Sequence, residues 1–490
     1  MPCGGELLTA FRKGLAMSDC CAPKKSSQYD LAVIGAGSAG FSAAITAADQ
    51  GANVALIGQG TIGGTCVNFG CVPSKTLIRA AEALHGAAAA QRFPGLAGEA
   101  HVTNWQQLVE AKDDLVKTLR QKKYIDLLPE YNGVSYLEGA ARLTSEGVMV
   151  GDSEIAVGRV IIASGSSPQA PMIPGLADVP CLTSKTALEL TKQPRSLLIL
   201  GGGYIGCELA QMFARTGTAV TLVTRSRLLP EAEPEISEAL TGYLEDEGIT
   251  IHSGLAYSSI EQRDGHIALV VKVDGRPETI TAEHVLITTG RSPNIAGLGL
   301  AEVGVALNSN GGIAVDDRMR TSKLGVYAAG DVTGRDQFVY MAAYGAKLAA
   351  LNALNGNSMI YDNKAMPWVV FTDPQVAGVG LSEADAASQG YQTKTSIVPL
   401  NQVPRALAAR DTRGLIKLVA DKKTDRLLGA QILAPEGADS IQTMVLAIKF
   451  GMTATELGST IFPYLTTVEG LKLAAQGFGK DVAKLSCCAG

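Results

Sequence analysis

Two cysteines stand five residues apart near the start of the chain, in the segment 63–75 that reads GGTCVNFGCVPSK. At this spacing Cys66 and Cys71 can close a small disulfide ring, and the glycine before and the proline after the second cysteine supply the turn chemistry. If a helix begins near Val72, its N-terminus stabilises a thiolate on Cys71. The segment therefore predicts a redox-active pair, with two buried structural cysteines as the alternative.

The chain ends on a second pair of thiols, Cys487 and Cys488, among small residues. Soft metal ions take thiolates directly, so this pair is suited to collecting a metal and delivering it inward, with an incidental exposed dithiol as the alternative. A third pair, Cys20 and Cys21, is either another capture site or a bystander. Nine cysteines, an odd number, do not fit the stapled framework of a small secreted domain and favour redox or metal chemistry.

Two glycine-rich loops indicate the elements that position this chemistry. Each loop follows an apolar run, Leu31–Ile34 or Leu197–Leu200, and precedes a helical pattern and a second apolar run. In this context G-x-G-x-x-G predicts a β-α-β dinucleotide site, with glycines for the turn, for approach to a pyrophosphate and for close helix packing. The glycines with these roles are Gly35, Gly37 and Gly40 in the first loop and Gly201, Gly203 and Gly206 in the second.

The residue that ends the second strand of such a unit selects the nucleotide, since a carboxylate there bonds the ribose 2′-hydroxyl and repels a 2′-phosphate. In the second unit this residue is Thr224, followed by Arg225 and Arg227. The missing acid and the two guanidinium groups favour NADPH over NADH, with solvated surface arginines as the alternative. In the first unit the equivalent residue is Gly58, so the usual acid is absent there as well.

Composition narrows the classes of partner. The chain has 490 residues with 46% hydrophobic residues, which predicts two or more packed domains. Its net charge of −5, with scattered lysines and arginines, disfavours nucleic acid and anionic membranes. Because no apolar run approaches about 18 residues and the segment 1–17 lacks a signal core, we expect a soluble, cytoplasmic protein, with Met17 a possible alternative start.

Taken together, these motifs resemble the pyridine nucleotide-disulfide oxidoreductase family from about Gln28 to the C-terminus. Further marks of that family follow in order, ASGSSP at 163–168, TGRSPN at 289–294 and AAGD at 328–331. The resemblance implies an α/β fold with two Rossmann-like dinucleotide-binding domains, for FAD and NADPH, and a C-terminal α+β dimerisation domain. We expect a flexible tail at 1–27, an FAD-binding domain at 28–167 and 290–362, an NADPH-binding domain at 168–289 and the interface domain at 363–490.

The same resemblance implies roles for individual residues. FAD is expected beside Cys71, the flavin-proximal sulfur, while Cys66 is the interchange sulfur. Lys75 is expected to pair with Glu208 near the flavin, and Asp331 to bond the ribityl chain. The other implied FAD contacts are Gly64, Thr65, Ala140, Ser164, Gly165 and Gly330, and Gly290 is implied for NADPH.

The segment 462–469 argues against a disulfide substrate. Family members that reduce disulfides carry a catalytic histidine there, and Tyr464 replaces it in this chain. A phenol has a reference pKa of about 10, which makes it a poor proton shuttle at neutral pH. None of the five histidines, His85, His101, His252, His266 and His284, lies in this C-terminal part.

Tyr464, the cysteine tail and the segment QFVY at 337–340 are instead similar to the branch of the family that reduces mercuric ion. That resemblance implies that Cys487 and Cys488 receive Hg(II) from small thiols and pass it to Cys66 and Cys71, where it becomes Hg(0). It also implies that Tyr340 and Tyr464 line the site and that the homodimer places the tail of one subunit at the cysteine pair of the other. Many members of this branch begin with a Cys-x-x-Cys metal-binding domain, which this sequence lacks.

Two other functions stay open at this point. An NADPH-dependent disulfide reductase or dihydrolipoamide dehydrogenase is opposed by the missing histidine and by the cysteine tail. A non-catalytic flavoprotein that sequesters a soft metal leaves two intact dinucleotide sites unexplained.

Overall fold

The computed structural model describes residues 28–484. The expectations for the tail at 1–27, for Cys20 and Cys21, for the alternative start at Met17 and for Cys487 and Cys488 therefore lie outside the described residues.

The first nucleotide unit is built on parallel strands that are almost wholly apolar. Strand β1 (Leu31–Ile34) and strand β2 (Val54–Gly58) are buried along their length, as strands of a parallel sheet covered on both faces must be. Helix α1 (Ser38–Asp49) lies between them, so the predicted β-α-β unit is confirmed. The next elements are α2 (Gly64–Asn68), α3 (Cys71–Ala88), α4 (Trp105–Arg120), β3 (Val134–Glu138), β4 (Ala141–Leu143), β5 (Gly147–Val150), β6 (Ser153–Ala156), β7 (Val160–Ile162) and β8 (Ser166–Pro168).

The second unit repeats this arrangement. Its elements are β9 (Cys181–Leu182), α5 (Ser184–Ala187), β10 (Ser196–Leu200), α6 (Tyr204–Arg215), β11 (Ala219–Val223), α7 (Pro234–Asp246), β12 (Thr250–His252), β13 (Tyr257–Arg263), β14 (His266–Val273), β15 (Arg276–Ala282) and β16 (His284–Ile287). The parallel sheet has the order β12-β11-β10-β16-β9. Strands β13, β14 and β15 form a separate antiparallel sheet that the sequence pattern did not predict.

After the second unit the chain returns to the first. The elements of this stretch are β17 (Arg291–Pro293), β18 (Val326–Ala328) and α8 (Val339–Asn355). Strand β18 completes the first parallel sheet in the order β18-β7-β1-β2-β3, and α8 packs against α1, with the Ser42 hydroxyl donating to the carbonyl of Ala343 at 2.8 Å. Two separate stretches of chain therefore build one nucleotide unit. The residue-level boundaries given above stay predictions.

The C-terminal part is a five-stranded antiparallel sheet with helices. Its strands have the order β19-β20-β23-β22-β21, with bounds β19 (Pro367–Val370), β20 (Gln375–Gly380), β21 (Thr393–Pro399), β22 (Leu415–Asp421) and β23 (Leu427–Ala434). The helices are α9 (Glu383–Ser388), α10 (Pro404–Ala409), α11 (Gly437–Lys449), α12 (Ala454–Ser459) and α13 (Glu469–Gln476). The predicted fold class, two Rossmann-like units followed by an α+β domain, is confirmed. Among residues 28–484 we find no helix with the length and apolar content to span a bilayer.

A buried ion cluster joins the second unit to the C-terminal part. The side chain of Lys417, on β22, is only 2% exposed, and its ammonium lies 3.0 Å from Glu233, 2.9 Å from Glu235 and 3.1 Å from Glu383. A lysine at this depth requires such partners because desolvation penalises its charged form. The cluster therefore fixes α7 and its leading loop against the C-terminal sheet.

Candidate active site

The two cysteines of the segment 63–75 lie at the junction of two helices. Cys66 is in α2, and Cys71 is the first residue of α3, one position before the predicted start. A hydrogen bond from the Cys66 thiol lowers the pKa of Cys71 to about 7, and the positive charge of Lys75 acts in the same direction against the effect of burial. The same hydrogen bond, followed by burial, raises the pKa of Cys66. Near neutral pH the Cys71 thiol is therefore about half ionised, while Cys66 stays a thiol.

One helical turn after Cys71, Lys75 forms the expected ion pair with Glu208. Its Nζ lies 2.6 Å from Oε2 of Glu208, whose side chain is 5% exposed on α6. The other carboxylate oxygen accepts the backbone N–H of Phe371 at 2.9 Å, and the ammonium sits 4.9 Å from the centre of the Phe371 ring. The pair thus ties α3 of the first unit to α6 of the second and to the segment after β19, close to the thiolate.

Tyr340, predicted to line the site, interacts electrostatically with Cys71. Burial raises the pKa of Tyr340, and the charges of Asp336 and Cys71 raise it further. Its hydroxyl donates to the carbonyl of Pro367. This tyrosine is therefore a neutral hydrogen-bond donor at physiological pH, held in place from the C-terminal part.

Two residues that the sequence reasoning missed are also coupled to the cysteine pair. Burial raises the pKa of Tyr124, and the charges of Cys66 and Cys71 add to it. Burial lowers the pKa of Arg291, while Asp331 and Cys71 oppose that shift. Arg291 stands inside the motif TGRSPN, which was a usable signal, whereas nothing near Tyr124 in the sequence marks it.

Tyr464, the other predicted lining residue, lies between α12 and α13 and has a half-exposed side chain. Ile461 and Leu465 beside it are also exposed, so the segment presents apolar surface to solvent. The backbone N–H of Leu465 donates to Glu469 at 3.1 Å, which holds the segment against the start of α13. The tyrosine is therefore on the outer surface of the C-terminal part.

The first glycine loop has the geometry of a pyrophosphate cradle. Gly64 has a φ of +67°, and a Cβ there would lie 2.6 Å from the Cα of Gly37, so the two backbones meet without side chains between them. Gly37 caps α1 without a side-chain hydrogen bond, which leaves first-turn N–H groups for an anion. A Cβ at Gly40 would collide with the carbonyl oxygen of Gly35, which explains the third glycine. Thr65, next to Gly64, is exposed.

Other predicted FAD contacts lie where the parallel strands end. Asp331 follows β18 and accepts a hydrogen bond from the Ser166 hydroxyl at 2.6 Å, and Arg291 donates to that same hydroxyl at 2.8 Å. The aspartate is thus oriented while it keeps acceptor capacity for a polyol hydroxyl. The remaining members of the set, Ser164, Gly165 and Gly330, follow β7 and β18, and Ala140 follows β3. This edge of an open α/β sheet is where dinucleotides bind.

The second glycine loop fits a dinucleotide in the same way. Gly203 caps α6 without a side-chain hydrogen bond, and no atom lies within 4 Å of where its Cβ would be. A Cβ at Gly206 would collide with the carbonyl oxygen of Gly201. Gly290, which the resemblance implies for NADPH, lies shortly after β16 with a φ of +130°. Open N–H groups and close helix packing are therefore present at both loops.

The two arginines after Thr224 are not equivalent. The guanidinium of Arg227 donates to the carbonyls of Pro230 at 2.9 Å and Ala232 at 2.6 Å, so it braces its own loop. Arg225 is exposed. Burial raises the pKa of the nearby Tyr257 to about 12, and the positive charge of Arg225 partly offsets that rise. Both arginines are exposed, but only Arg227 is hydrogen-bonded to its own loop.

Comparison with known proteins identifies the family. Residues 29–349 match the pyridine nucleotide-disulphide oxidoreductases, and residues 366–475 match the dimerisation domain of the same family. The chain belongs to the pyridine nucleotide-disulphide oxidoreductase family. Within this family it is 48% identical to a mercuric reductase of Bacillus cereus, over 94% of this chain and 73% of that protein. It is 47% identical to a mercuric reductase of Streptomyces lividans, over 94% of this chain and 98% of the relative.

Solved structures of a flavoprotein disulfide reductase have the same fold. The HOCl-induced flavoprotein disulfide reductase RclA from Escherichia coli superposes with a TM-score of 0.80 at 29% identity. The match covers 91% of this chain and 99% of that one, and the Cu(II) complex of the same protein matches equally well.

Family membership implies FAD and NADPH, and the residues present fit both. The bare backbone contact of Gly37 with Gly64 and the uncapped start of α1 suit the FAD pyrophosphate, and the uncapped start of α6 suits that of NADPH. Of the remaining described cysteines, Cys207 is buried and Cys181 is partly exposed. Within residues 28–484 the oxidoreductase thus has two glycine loops that fit dinucleotides and one pair of neighbouring cysteines, followed by a dimerisation domain.

Proposed function

We propose that this oxidoreductase reduces Hg(II) to Hg(0) with NADPH as the electron source. The observation that carries the proposal is the Cys66–Cys71 pair at the start of α3, beside the Lys75–Glu208 ion pair, in a chain 48% identical to a mercuric reductase. A metal that binds thiolates needs two sulfurs, one of them ionised, and no general base. A disulfide substrate needs an acid and base at the position occupied by Tyr464.

In this proposal the two cysteines bind the metal one after the other. The Cys71 thiolate displaces one small thiolate from Hg(SR)₂. The Cys66 thiol then forms the second Hg–S bond, and its proton leaves with the second displaced ligand as RSH. The exchange is balanced, because one thiolate and one thiol enter and one thiolate and one thiol leave.

FAD, when bound, supplies to this site the two electrons that NADPH provides, and the net reaction is Hg(II) + NADPH → Hg(0) + NADP⁺ + H⁺. The glycine loop Gly35–Gly40 and Asp331 hold FAD in this proposal. Lys75, held in place by its ion pair with Glu208, stabilises the thiolate to which the metal binds. Tyr340 stays protonated and lines the site without taking up a proton.

For the nucleotide, the proposal assigns the 2′-phosphate of NADPH to Arg225. Arg225 is exposed just after β11, where the ribose of a dinucleotide is expected, whereas one terminal nitrogen of Arg227 already donates to two backbone carbonyls. The role of Arg227 is therefore to shape the loop.

We propose that the active site is completed in a homodimer. The dimerisation domain exposes large apolar side chains, among them Phe450 at 78% and Ile461 at 95% exposure, and Tyr464 lies on the same segment as Ile461. Apolar surface of this kind marks a protein interface. Tyr464 and, from the sequence alone, Cys487 and Cys488 of one protomer then serve the cysteine pair of its partner, with small thiols carrying Hg(II) to them.

A substrate panel tests the proposed function. NADPH oxidation is followed with Hg(II) in excess small thiol, with glutathione disulfide and with lipoamide. Of the three substrates, we expect only Hg(II) to give rapid turnover, and we expect Cys71→Ala to abolish it. A Cys487→Ala/Cys488→Ala variant should still reduce its flavin but turn over Hg(II) more slowly. Faster turnover on either disulfide than on Hg(II) would refute the proposal.

A further inference from the structure

The first unit lacks the acid that such units use for the adenosine ribose, and the structure gives the reason. A side chain at Gly58 would begin 2.7 Å from the hydroxyl of Tyr136 and 2.8 Å from the Cβ of Ala36. The phenol of Tyr136, reaching over from β3, thus occupies the space into which an acid at the end of β2 would point. A carboxylate for the ribose has to come from another strand.

Glu138 is the residue that the fold places beside this gap. It ends β3 and is the parallel register partner of Gly58, so the two positions are one strand spacing apart, about 4.8 Å. Because side chains alternate along a strand, Glu138 points to the same face as Tyr136, which is the face where Gly58 lacks a side chain. Glu138 therefore lies beside the position that the usual acid would fill.

The surroundings of Glu138 agree with a ligand role. It is exposed, and among residues 28–484 its carboxylate has neither a cationic nor a hydrogen-bonding partner. Burial raises the pKa of Tyr136, and the negative charge of Glu138 raises it further, so the phenol stays protonated beside that charge. A hydroxyl donor and a carboxylate acceptor thus lie together at the carboxyl edge of the first sheet.

Gln59 is the other polar residue near this position. It is the first residue beyond β2, so it does not share the paired position that Glu138 has opposite Gly58. An amide oxygen also accepts a weaker hydrogen bond from a hydroxyl than a carboxylate does. Glu138 is the better placed and the stronger acceptor.

We propose that Glu138, with the Tyr136 hydroxyl beside it, binds the 2′-hydroxyl of the adenosine ribose of FAD in place of the acid missing at Gly58. The inference rests on the FAD site of the family and is independent of the metal substrate. It makes β3, in addition to β2, a determinant of flavin affinity.

The test is the affinity of the apoprotein for flavins, measured by quenching of flavin fluorescence on rebinding. Glu138→Gln is compared with Glu146→Gln, which neutralises another exposed glutamate between β4 and β5. We expect Glu138→Gln to raise the Kd for FAD about tenfold, the loss of one charge-assisted hydrogen bond, and Glu146→Gln to leave it unchanged. Binding of FMN, which has no adenosine, should be the same in both variants.

A 2′-deoxyadenosine analogue of FAD identifies the contact. The unmutated protein should bind FAD more tightly than the analogue, and Glu138→Gln should bind the two equally. An unchanged preference in Glu138→Gln, or its loss in Gln59→Ala instead, would overturn the assignment. Circular dichroism of each apoprotein verifies folding.

Discussion

At the scale of single residues, one hydrogen bond divides the two active-site sulfurs into a thiolate and a thiol. The bond from Cys66 is the largest influence on Cys71, ahead of the Lys75 charge four residues along α3. The helix N-terminus adds to the same effect, because Cys71 is the first residue of α3. A nucleophile that is half ionised near neutral pH needs no separate base.

This division of roles predicts a specific pH dependence. In the reduced protein, alkylation of Cys71 by iodoacetamide should rise with pH around a midpoint of about 7, since only the thiolate reacts. Cys66→Ala removes the hydrogen-bond donor and should move the midpoint upward, while Cys66→Ser keeps a donor and should move it less. Peptide mass spectrometry at Cys71 gives the midpoints. A midpoint in Cys66→Ala at or below that of the unmutated protein would contradict the account.

The two arginines after β11 should respond differently to substitution. Arg225→Ala should lower kcat/KM for NADPH about tenfold to a hundredfold and leave NADH unaffected, because only the contact with the 2′-phosphate is lost. Arg227→Ala removes the hydrogen bonds to two carbonyls of its loop, so it should weaken the binding of both NADPH and NADH. Steady-state kinetics with each nucleotide separates the cases. Equal losses of kcat/KM for NADPH and NADH in Arg225→Ala would show that Arg225 does not bind the 2′-phosphate.

At the scale of elements, the position of the second unit against the C-terminal part depends on a cluster with one lysine and three glutamates. Lys417 and Glu233 are almost inaccessible, whereas Glu235 and Glu383 are partly exposed. Removal of the lysine leaves a buried carboxylate without its counter-charge, which costs more than the loss of a surface pair.

We therefore predict that Lys417→Met lowers the free energy of unfolding by about 3 kcal/mol at neutral pH. The exposed Lys480→Met serves as control and should change it little. The lysine lowers the pKa of Glu235, so the stability that this glutamate contributes is present above its unfolded pKa and is lost as pH falls. The gap between the two variants should narrow towards about pH 4 in urea unfolding. A gap independent of pH would indicate packing instead.

The sequence predicted the elements whose signals are local. Strand Leu31–Ile34 has the predicted bounds, and the predicted helix after the first glycine loop begins at Ser38, with Gly37 as its N-cap. The antiparallel strands β13–β15 went unpredicted because their exposed polar residues dilute the apolar alternation.

Within the site, the cysteine pair and the Lys75–Glu208 pair could be predicted because a family motif marks them. The Lys417 cluster could not, since Lys417 and Glu233 are 184 positions apart in the chain. The blocked position at Gly58 depends in the same way on a tyrosine from another strand, and the sequence alone showed only that the acid was missing.

At the scale of the whole molecule, the proposed active site needs two copies of the chain. The double variant Phe450→Asp/Ile461→Asp should place charges in the interface and yield a 50.9 kDa monomer in sedimentation velocity. Leu324→Asp, at an equally exposed leucine outside the dimerisation domain, is the matched control and should stay dimeric. In the monomer NADPH should still reduce the flavin while Hg(II) turnover falls. A monomer with full Hg(II) turnover would show that each chain is complete by itself.

The most direct measurement is the ratio of Hg(0) released to NADPH oxidised. The purified protein is given NADPH and Hg(II) in excess small thiol under a gas stream, with trapping of volatile mercury and simultaneous recording of NADPH absorbance. The account predicts one Hg(0) released for each NADPH oxidised, and no release from a Cys66→Ala/Cys71→Ala variant. NADPH consumption without volatile mercury, or release that persists in that variant, would contradict it.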